Sequence, residues 1–197
     1  PLVGAEYTAC NDCKLFQSCH SYKIAGEGEA KLGLALVGEA PGAEEDALGA
    51  PFVGEAGKLL TTLLTRAGVR REDVFITNAV KCRPIQNGRN RTPTSKEIDL
   101  CSPFLEDELK RVLPKVVVAL GNTAIRTLLV KEGVERLRGR DFLSDRFSCR
   151  VVPTYHPSAA LYAGRRRGGA DIERAIVKDI RRAVSLCSEG TVPEARL

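Results

Sequence analysis

Leu32-Gly33-Leu34-Ala35-Leu36-Val37 is an apolar run that ends in Gly38, and an acidic, glycine-rich loop over residues 38–57 follows it. An apolar pattern then recurs at Leu59, Leu60, Leu63, Leu64 and Ala67, the spacing of one helix face. The order is strand, loop, helix, and the rest of the chain repeats it. Residues 73–80 (DVFITNAV) read as a second strand, residues 116–120 (VVVAL) as a third and residues 151–154 (VVPT) as a fourth. Helical stretches fall near 94–112, after the Gly121-Asn122-Thr123 cap, and at the end, where Ile172, Ile176, Ile180, Ala183, Val184 and Cys187 share a face. Strands separated by helices imply an α/β fold whose central, mostly parallel four-stranded sheet is covered on both faces.

A chain of 197 residues can bury one substantial core, so a single domain over 1–197 is expected, with residues 1–30 as a short packed arm. Apolar residues make up 43% and charged residues 28%, a balance that excludes disorder and fibrous classes. No apolar run reaches the ~20 residues of a membrane span. The N-terminus lacks the features of a secretory signal, so a cytoplasmic location is expected, and with no membrane span no membrane partner is. A monomer is the expected state.

In parallel sheets, ligands gather beyond the carboxyl ends of the strands, so the loops leaving those ends carry the function. Their charges differ sharply. Residues 39–55 hold Glu39, Glu44, Glu45, Asp46 and Glu55 and no base; residues 81–96 hold Lys81, Arg83, Arg89, Arg91 and Lys96 and no acid. Arg165, Arg166 and Arg167 add a second basic run near the fourth strand. Two basic runs on one edge suit a polyanion, within a net charge of only +5. An acidic loop on that edge would repel DNA unless its carboxylates act in a cleft, which singles out Glu39 and Glu45.

The seven cysteines, in a chain without an export signal, read as metal ligands or buried thiols. Cys10-Asn11-Asp12-Cys13 is a C-x2-C knuckle that supplies half a tetrahedral site. Cys82 and Cys101 are the best partners and Cys19, followed by His20, competes with them; Cys149 and Cys187 read as buried thiols. Zinc and an iron–sulfur cluster satisfy this spacing equally.

Three motifs in order carry a family resemblance. Residues 38–46 (GEAPGAEED) with 49–60 (GAPFVGEAGKLL), residues 76–84 (ITNAVKCRP) and residues 154–158 (TYHPS) resemble the signatures of family 4 uracil-DNA glycosylases, with the four-cysteine pattern interleaved. The resemblance implies a three-layer α/β/α domain, a structural [4Fe–4S] cluster on Cys10, Cys13, Cys82 and Cys101, and excision of uracil from DNA. Glu39 favours family 4 over the broader family 5, which lacks an acid there. The 86–91 loop holds no histidine, unlike a relative that traps DNA covalently, so turnover is expected.

On this reading the DNA, single- or double-stranded, everts its uracil nucleotide into a pocket. Asn78 reads the base edge by an amide, Phe52 offers a ring face, and Ala40 completes the base-binding set. Glu45 guards against the thymine methyl group, directly or through a water. His156 hydrogen-bonds the departing base, and Glu39 positions water or steadies the cationic sugar. Backbone N–H groups around Ser158, with Arg89, Arg91 and Arg165–Arg167, bind phosphates, and Leu161 fills the gap left by the flipped base. A sliding clamp is the protein partner considered. The rival is a non-catalytic, metal-stapled DNA-binding module, which has no need of Glu39, Asn78 or His156.

Overall fold

The computed structural model describes residues 13–21, 23–164 and 168–189. Its strands are β1 (Leu34–Gly38), β2 (Phe75–Asn78), β3 (Ile85–Gln86), β4 (Arg89–Asn90), β5 (Val116–Leu120), β6 (Phe142–Ser144) and β7 (Cys149–Thr154). The helices are α1 (Ala43–Leu48), α2 (Glu55–Ala67), α3 (Ser95–Val112), α4 (Gly121–Leu129), α5 (Val134–Leu137), α6 (Pro157–Ala163) and α7 (Gly169–Ser188). Among the described residues the central sheet has five strands rather than four, in the order β2-β1-β5-β7-β6. The four expected strands run parallel, and the addition is β6, antiparallel to β7 at the edge. Three residues are too short to leave a periodicity in sequence; β6 exists because β7 offers it a free edge and the Ser144 hydroxyl donates to the Leu128 carbonyl at 2.5 Å.

Side chains alternate across the sheet as the strand period demands. Leu34 and Leu36 of β1 face Leu60, Leu63 and Leu64 of α2 and Ile176 and Ile180 of α7. Ala35 and Val37 face Leu105 and Leu109 of α3 and Ile125 and Leu128 of α4. The result is three layers, with all of β1, β2 and β5 buried. Along the outer edge of β2 lies the arm: Glu27 and Ile76 exchange both main-chain hydrogen bonds, at 2.9 and 2.8 Å, and Ile24 N–H donates to the Lys81 carbonyl.

Two features of this frame position the site. The chain passes from β1 to β2 on one side and later to β5 on the other, so the order reverses beside β1 and opens a crevice at its carboxyl end. Within the loop expected over 38–57, residues 43–48 form α1, whose first turn carries Glu44, Glu45 and Asp46. Acids are favoured at that end of a helix by its dipole, which is why an acidic stretch folded there rather than remaining open loop. No helix among the described residues is long and apolar enough to cross a membrane.

Gly57, in the first turn of α2, sits directly against the main chain of Phe52, and a Cβ there would overlap the Phe52 carbonyl group. Glycine to alanine inside a helix ordinarily gains about 1 kcal/mol. Here overpacking, worth about 1–3 kcal/mol, opposes it. Gly57→Ala is therefore expected to lower stability in a denaturant titration, and a gain would show that α2 does not seat on Phe52.

Candidate active site

Beyond the carboxyl ends of the parallel strands opens a cleft of about 860 Å³. Its wall takes Glu39 from the end of β1, Asn78 from β2, Gly121-Asn122-Thr123 from the turn after β5 and His156 from the turn after β7. Ala40, Glu45, Phe52, Arg91, Ser158 and Leu161 complete the part of the wall that sequence had singled out. Residues more than a hundred positions apart thus meet in one hollow.

Asn78 and Phe52 are both buried, at 4% and 5% exposure, and converge over Gly38. A Cβ on Gly38 would collide with the Phe52 ring and lie 2.5 Å from Asn78 Oδ1. Glycine is required there by close approach rather than by backbone angle. Phe52 itself adopts φ 54°, a left-handed conformation costly for a bulky side chain, which turns its ring over the end of β1. The ring stands 5.7 Å from the His156 imidazole, inclined by 34°. Ala79 N–H donates to the Gly38 carbonyl and Val80 N–H to that of Glu39, which ties the end of β2 to the loop after β1.

His156 is the N-cap of α6, and Pro157 at the next position starts that helix. The Ser158 main-chain N–H donates to His156 Nδ1 at 3.2 Å, and the Ser158 hydroxyl lies 2.7 Å from the same nitrogen. A ring nitrogen that accepts from an amide carries no proton, so in the neutral ring the hydrogen sits on Nε2. Burial pushes the imidazole down to about 4, against a smaller opposing pull from Glu45. The site therefore holds an uncharged imidazole with a fixed donor. Gly121, at φ 82°, backs it: a Cβ there would stand 3.0 Å from the His156 Cβ. Glu39 is held by the Thr123 hydroxyl, which donates to Oε2. Thr123 was read from sequence only as part of a helix cap; nothing local marks it, because its partner lies 84 residues away.

Several expected assignments move. The Ser158 N–H, expected to meet a phosphate, donates to His156 Nδ1 in this structure. Glu45 accepts Gly42 N–H and Gly54 N–H, one on each oxygen, at 3.0 and 2.8 Å, so it closes the loop that walls the cleft. Asp46 accepts Ser21 N–H from the arm at 3.0 Å, and Glu44 faces Lys58 on α2. The basic run is largely neutralised within the fold. Lys81 pairs with Glu108 in the core, Arg83 reaches Asn90 and Asp46, and Arg91 grips Glu97 through two hydrogen bonds of 2.7 and 2.6 Å. That fork, with the capping of Thr94, holds the Glu97 carboxyl at about 2. Arg89 stands exposed on the β3–β4 hairpin. Leu161 is exposed on the rim as expected, and beside it Tyr162, which sequence reasoning passed over, is 90% exposed. Arg165, Arg166 and Arg167 lie outside the described residues, as does Cys10.

The remaining thiols separate into two kinds. Cys149 and Cys187 are buried in the two main cores, where desolvation pushes them up to about 12 and about 11. Cys82 and Cys101 instead form a small cluster with Leu15, Val80 and Ile98, against which Cys13 and Cys19 pack. Lys23 N–H points at Cys82 Sγ at 3.3 Å, and Lys81 N–H at Cys101 Sγ at 3.2 Å. Among the described residues no three histidine, cysteine or acidic side chains are spaced to hold a single metal ion.

Comparison with known proteins places these features in a family. A family model for the Uracil DNA glycosylase superfamily matches residues 25–181. The chain is 41% identical to the Type-4 uracil-DNA glycosylase of Saccharolobus solfataricus over 169 residues, 82% of this chain and 76% of that protein. It is 40% identical to the Type-4 uracil-DNA glycosylase of Thermotoga maritima over 188 residues, 93% and 92% of the two chains. Against the protein of the same name from Pyrobaculum aerophilum it is 43% identical over 169 residues, 81% and 83%.

The depressed His156 makes a pH prediction. An unfolded chain takes up its proton near 6.5 and the folded one only near 4, so this group's contribution to stability is lost as pH falls between those values. Imidazole ¹⁵N chemical shifts should report a neutral ring protonated on Nε2 from pH 8 down to about 5. A titration midpoint near 6.5 would contradict the buried, amide-capped geometry.

Proposed function

Since the chain belongs to the uracil-DNA glycosylase superfamily, we propose that its cleft takes an everted uracil nucleotide from DNA and hydrolyses the bond between base and sugar. The enzyme is a uracil-DNA glycosylase acting in DNA repair. The observation that carries the reading is the meeting of an amide, an aromatic face, a carboxylate and a neutral imidazole at the switch point of the sheet.

Each group has a distinct task. The Phe52 face receives the flipped ring, worth about 1–3 kcal/mol of stacking. Asn78 accepts from uracil N3–H through Oδ1 and donates to O4 through Nδ2, whereas cytosine presents the opposite pattern at that edge. The loop closed by Glu45 walls the pocket, and we assign it the steric exclusion of the thymine methyl group. In the bond-breaking step the electron pair of the C1′–N1 bond passes to the base, whose charge spreads onto O2. His156 Nε2–H donates a hydrogen bond to O2 and stays neutral throughout, since a proton already on the ring need only be shared. Water then adds to C1′ of the cationic sugar. Glu39, steadied by Thr123, orients that water and takes its proton. Leu161 and Tyr162 on the rim face the gap in the stack, and Arg89 is the exposed cation of the hairpin.

The cysteines support a second part of the reading. Buried thiols that already receive main-chain N–H groups suit an iron–sulfur cluster, whose sulfurs are stabilised by such donors. Cys10, Cys13, Cys82 and Cys101 would hold a [4Fe–4S] cluster, which supplies structure and takes no part in bond cleavage.

Purified protein incubated with a uracil-containing oligonucleotide, followed by alkaline cleavage at abasic sites, is expected to cut the strand at uracil. Intact strands would leave only a DNA-binding module. His156→Ala should slow single-turnover excision by about 10²–10³-fold, and Asn78→Asp should weaken uracil excision and relax discrimination against cytosine; normal rates and selectivity in either would remove that residue from its role. For the cysteine centre, aerobically purified protein should contain about four irons and absorb visible light that bleaches with dithionite. A colourless protein with one zinc would replace the cluster by zinc.

A further inference from the structure

Lys81 is the second-largest fully buried side chain among the described residues, at 1% exposure, and the bond-breaking step has no use for it. Its surroundings account for it completely. Nζ donates to Glu108 Oε2 at 2.5 Å, to Thr77 Oγ1 at 2.6 Å and to the main-chain carbonyl of Asn78 at 2.7 Å, which uses its three protons. Thr77 Oγ1 donates in turn to Glu108 Oε2 at 2.7 Å, and Gly26 N–H of the arm donates to Glu108 Oε1 at 2.8 Å. Burial works against the Glu108 carboxylate, but Lys81, with the Thr77 hydroxyl and the arm amide, holds it below the ordinary carboxylate range. A hydrophobic pair of like volume would serve stability at least as well, because desolvating two charges offsets most of their attraction. The pair is better explained by what it aims.

What it aims is the end of β2. Asn78 is the last residue of that strand, and its carbonyl is drawn toward the α3 side of the sheet by the Lys81 ammonium. The peptide plane after Asn78 is thereby fixed, as is the direction from which the side chain enters the cleft. Lys81 is also anchored at its own main chain, where its N–H points at Cys101 Sγ. Through its ammonium Lys81 joins α3, and by way of Glu108 the arm, to the backbone of one cleft residue, and its own main-chain N–H ties it to the cysteine cluster.

We propose that Lys81 is a positioning residue for base recognition: held in the core by Glu108 and Thr77, it fixes the Asn78 carbonyl and so sets the angle at which the Asn78 amide meets the uracil edge. This rests on the reading of Asn78 as the residue that recognises uracil.

A double-mutant cycle separates the two claims. Single-turnover excision, the inhibition constant for free uracil and affinity for DNA carrying an abasic-site analogue are measured for Lys81→Met, Asn78→Ala and the combination, alongside thermal midpoints. Lys81→Met is expected to slow excision and weaken free-uracil inhibition by 10-fold or more, with abasic-DNA affinity changed less than 2-fold. In the Asn78→Ala background the same change should cost less than 2-fold. Additive losses, or equal losses in abasic-DNA affinity, would overturn the proposal by showing a general structural role. If Asn78→Ala alone leaves uracil excision and inhibition unchanged, the recognition reading itself fails and the proposal falls with it. Should Lys81→Met not fold, Lys81→Met with Glu108→Leu, which removes both charges, takes its place in the cycle. Failure of that variant to fold would also overturn the proposal, since the pair would then be needed for the fold itself.

Discussion

At the end of β1 there is no room for a methyl group, and the site follows from that constraint. The ring of Phe52 and the amide oxygen of Asn78 occupy the volume a side chain on Gly38 would fill. Because they meet there, the ring and the amide that we propose receive and read the base stand at a fixed relation to each other before any ligand arrives. That relation is upheld from outside the cleft. Gly57 lets α2 press on the main chain of Phe52, and the extension of β2 hydrogen-bonds to Gly38 and Glu39. Preorganisation of this kind means that little of the binding free energy is lost to ordering the protein.

The electrostatics of the cleft obey the same logic. A charged histidine would stabilise an anionic leaving group more strongly in isolation, but it would have to be held charged in a buried place. Burial instead makes the ring neutral, and Ser158 fixes which nitrogen carries the proton. In the proposed reaction a neutral donor facing the developing charge needs no reorganisation at the moment of reaction, and low polarity around it strengthens the bond it makes. The carboxylate of Glu39 sits on the opposite side of the charge balance, where a cationic sugar would be attracted to it. Thr123 limits its motion without neutralising it.

Behind the strand ends lie two buried polar assemblies, one on each face of the sheet. On the α3 side Lys81 and Glu108 hold the end of β2. On the α7 side Asp179 accepts the Thr154 hydroxyl at 2.8 Å and meets Arg138 at 3.1 Å, while the Arg138 guanidinium lies over the Tyr155 ring. Thr154 and Tyr155 immediately precede His156, so each assembly backs one residue of the cleft. Apolar packing alone specifies position less sharply than directional hydrogen bonds do, which gives a reason for charge in both places.

Much of this molecule was legible in one dimension because it depends on local period and on short motifs. The alternation of Leu34, Ala35, Leu36 and Val37, the helical spacing of Leu60, Leu63 and Leu64, and the strand–helix order lead directly to a covered parallel sheet with its loops on one edge. Residues next to strand ends, Glu39, Asn78 and His156, were recognisable for the same reason, and the motifs around them pointed to the glycosylase family. What folding alone decided was which groups would already be engaged. Arg83, Arg91 and Lys81 look like a basic rim in sequence, yet Asp46 and Glu108, from distant segments, engage Arg83 and Lys81, and Glu97, just past the run, engages Arg91. Thr123 acquired Glu39 across 84 residues, and β6, too short to leave a pattern, acquired an edge to pair with. Periodicity is a property of neighbours along the chain, and hydrogen-bond partnership is a property of neighbours in space; only the fold converts the first into the second.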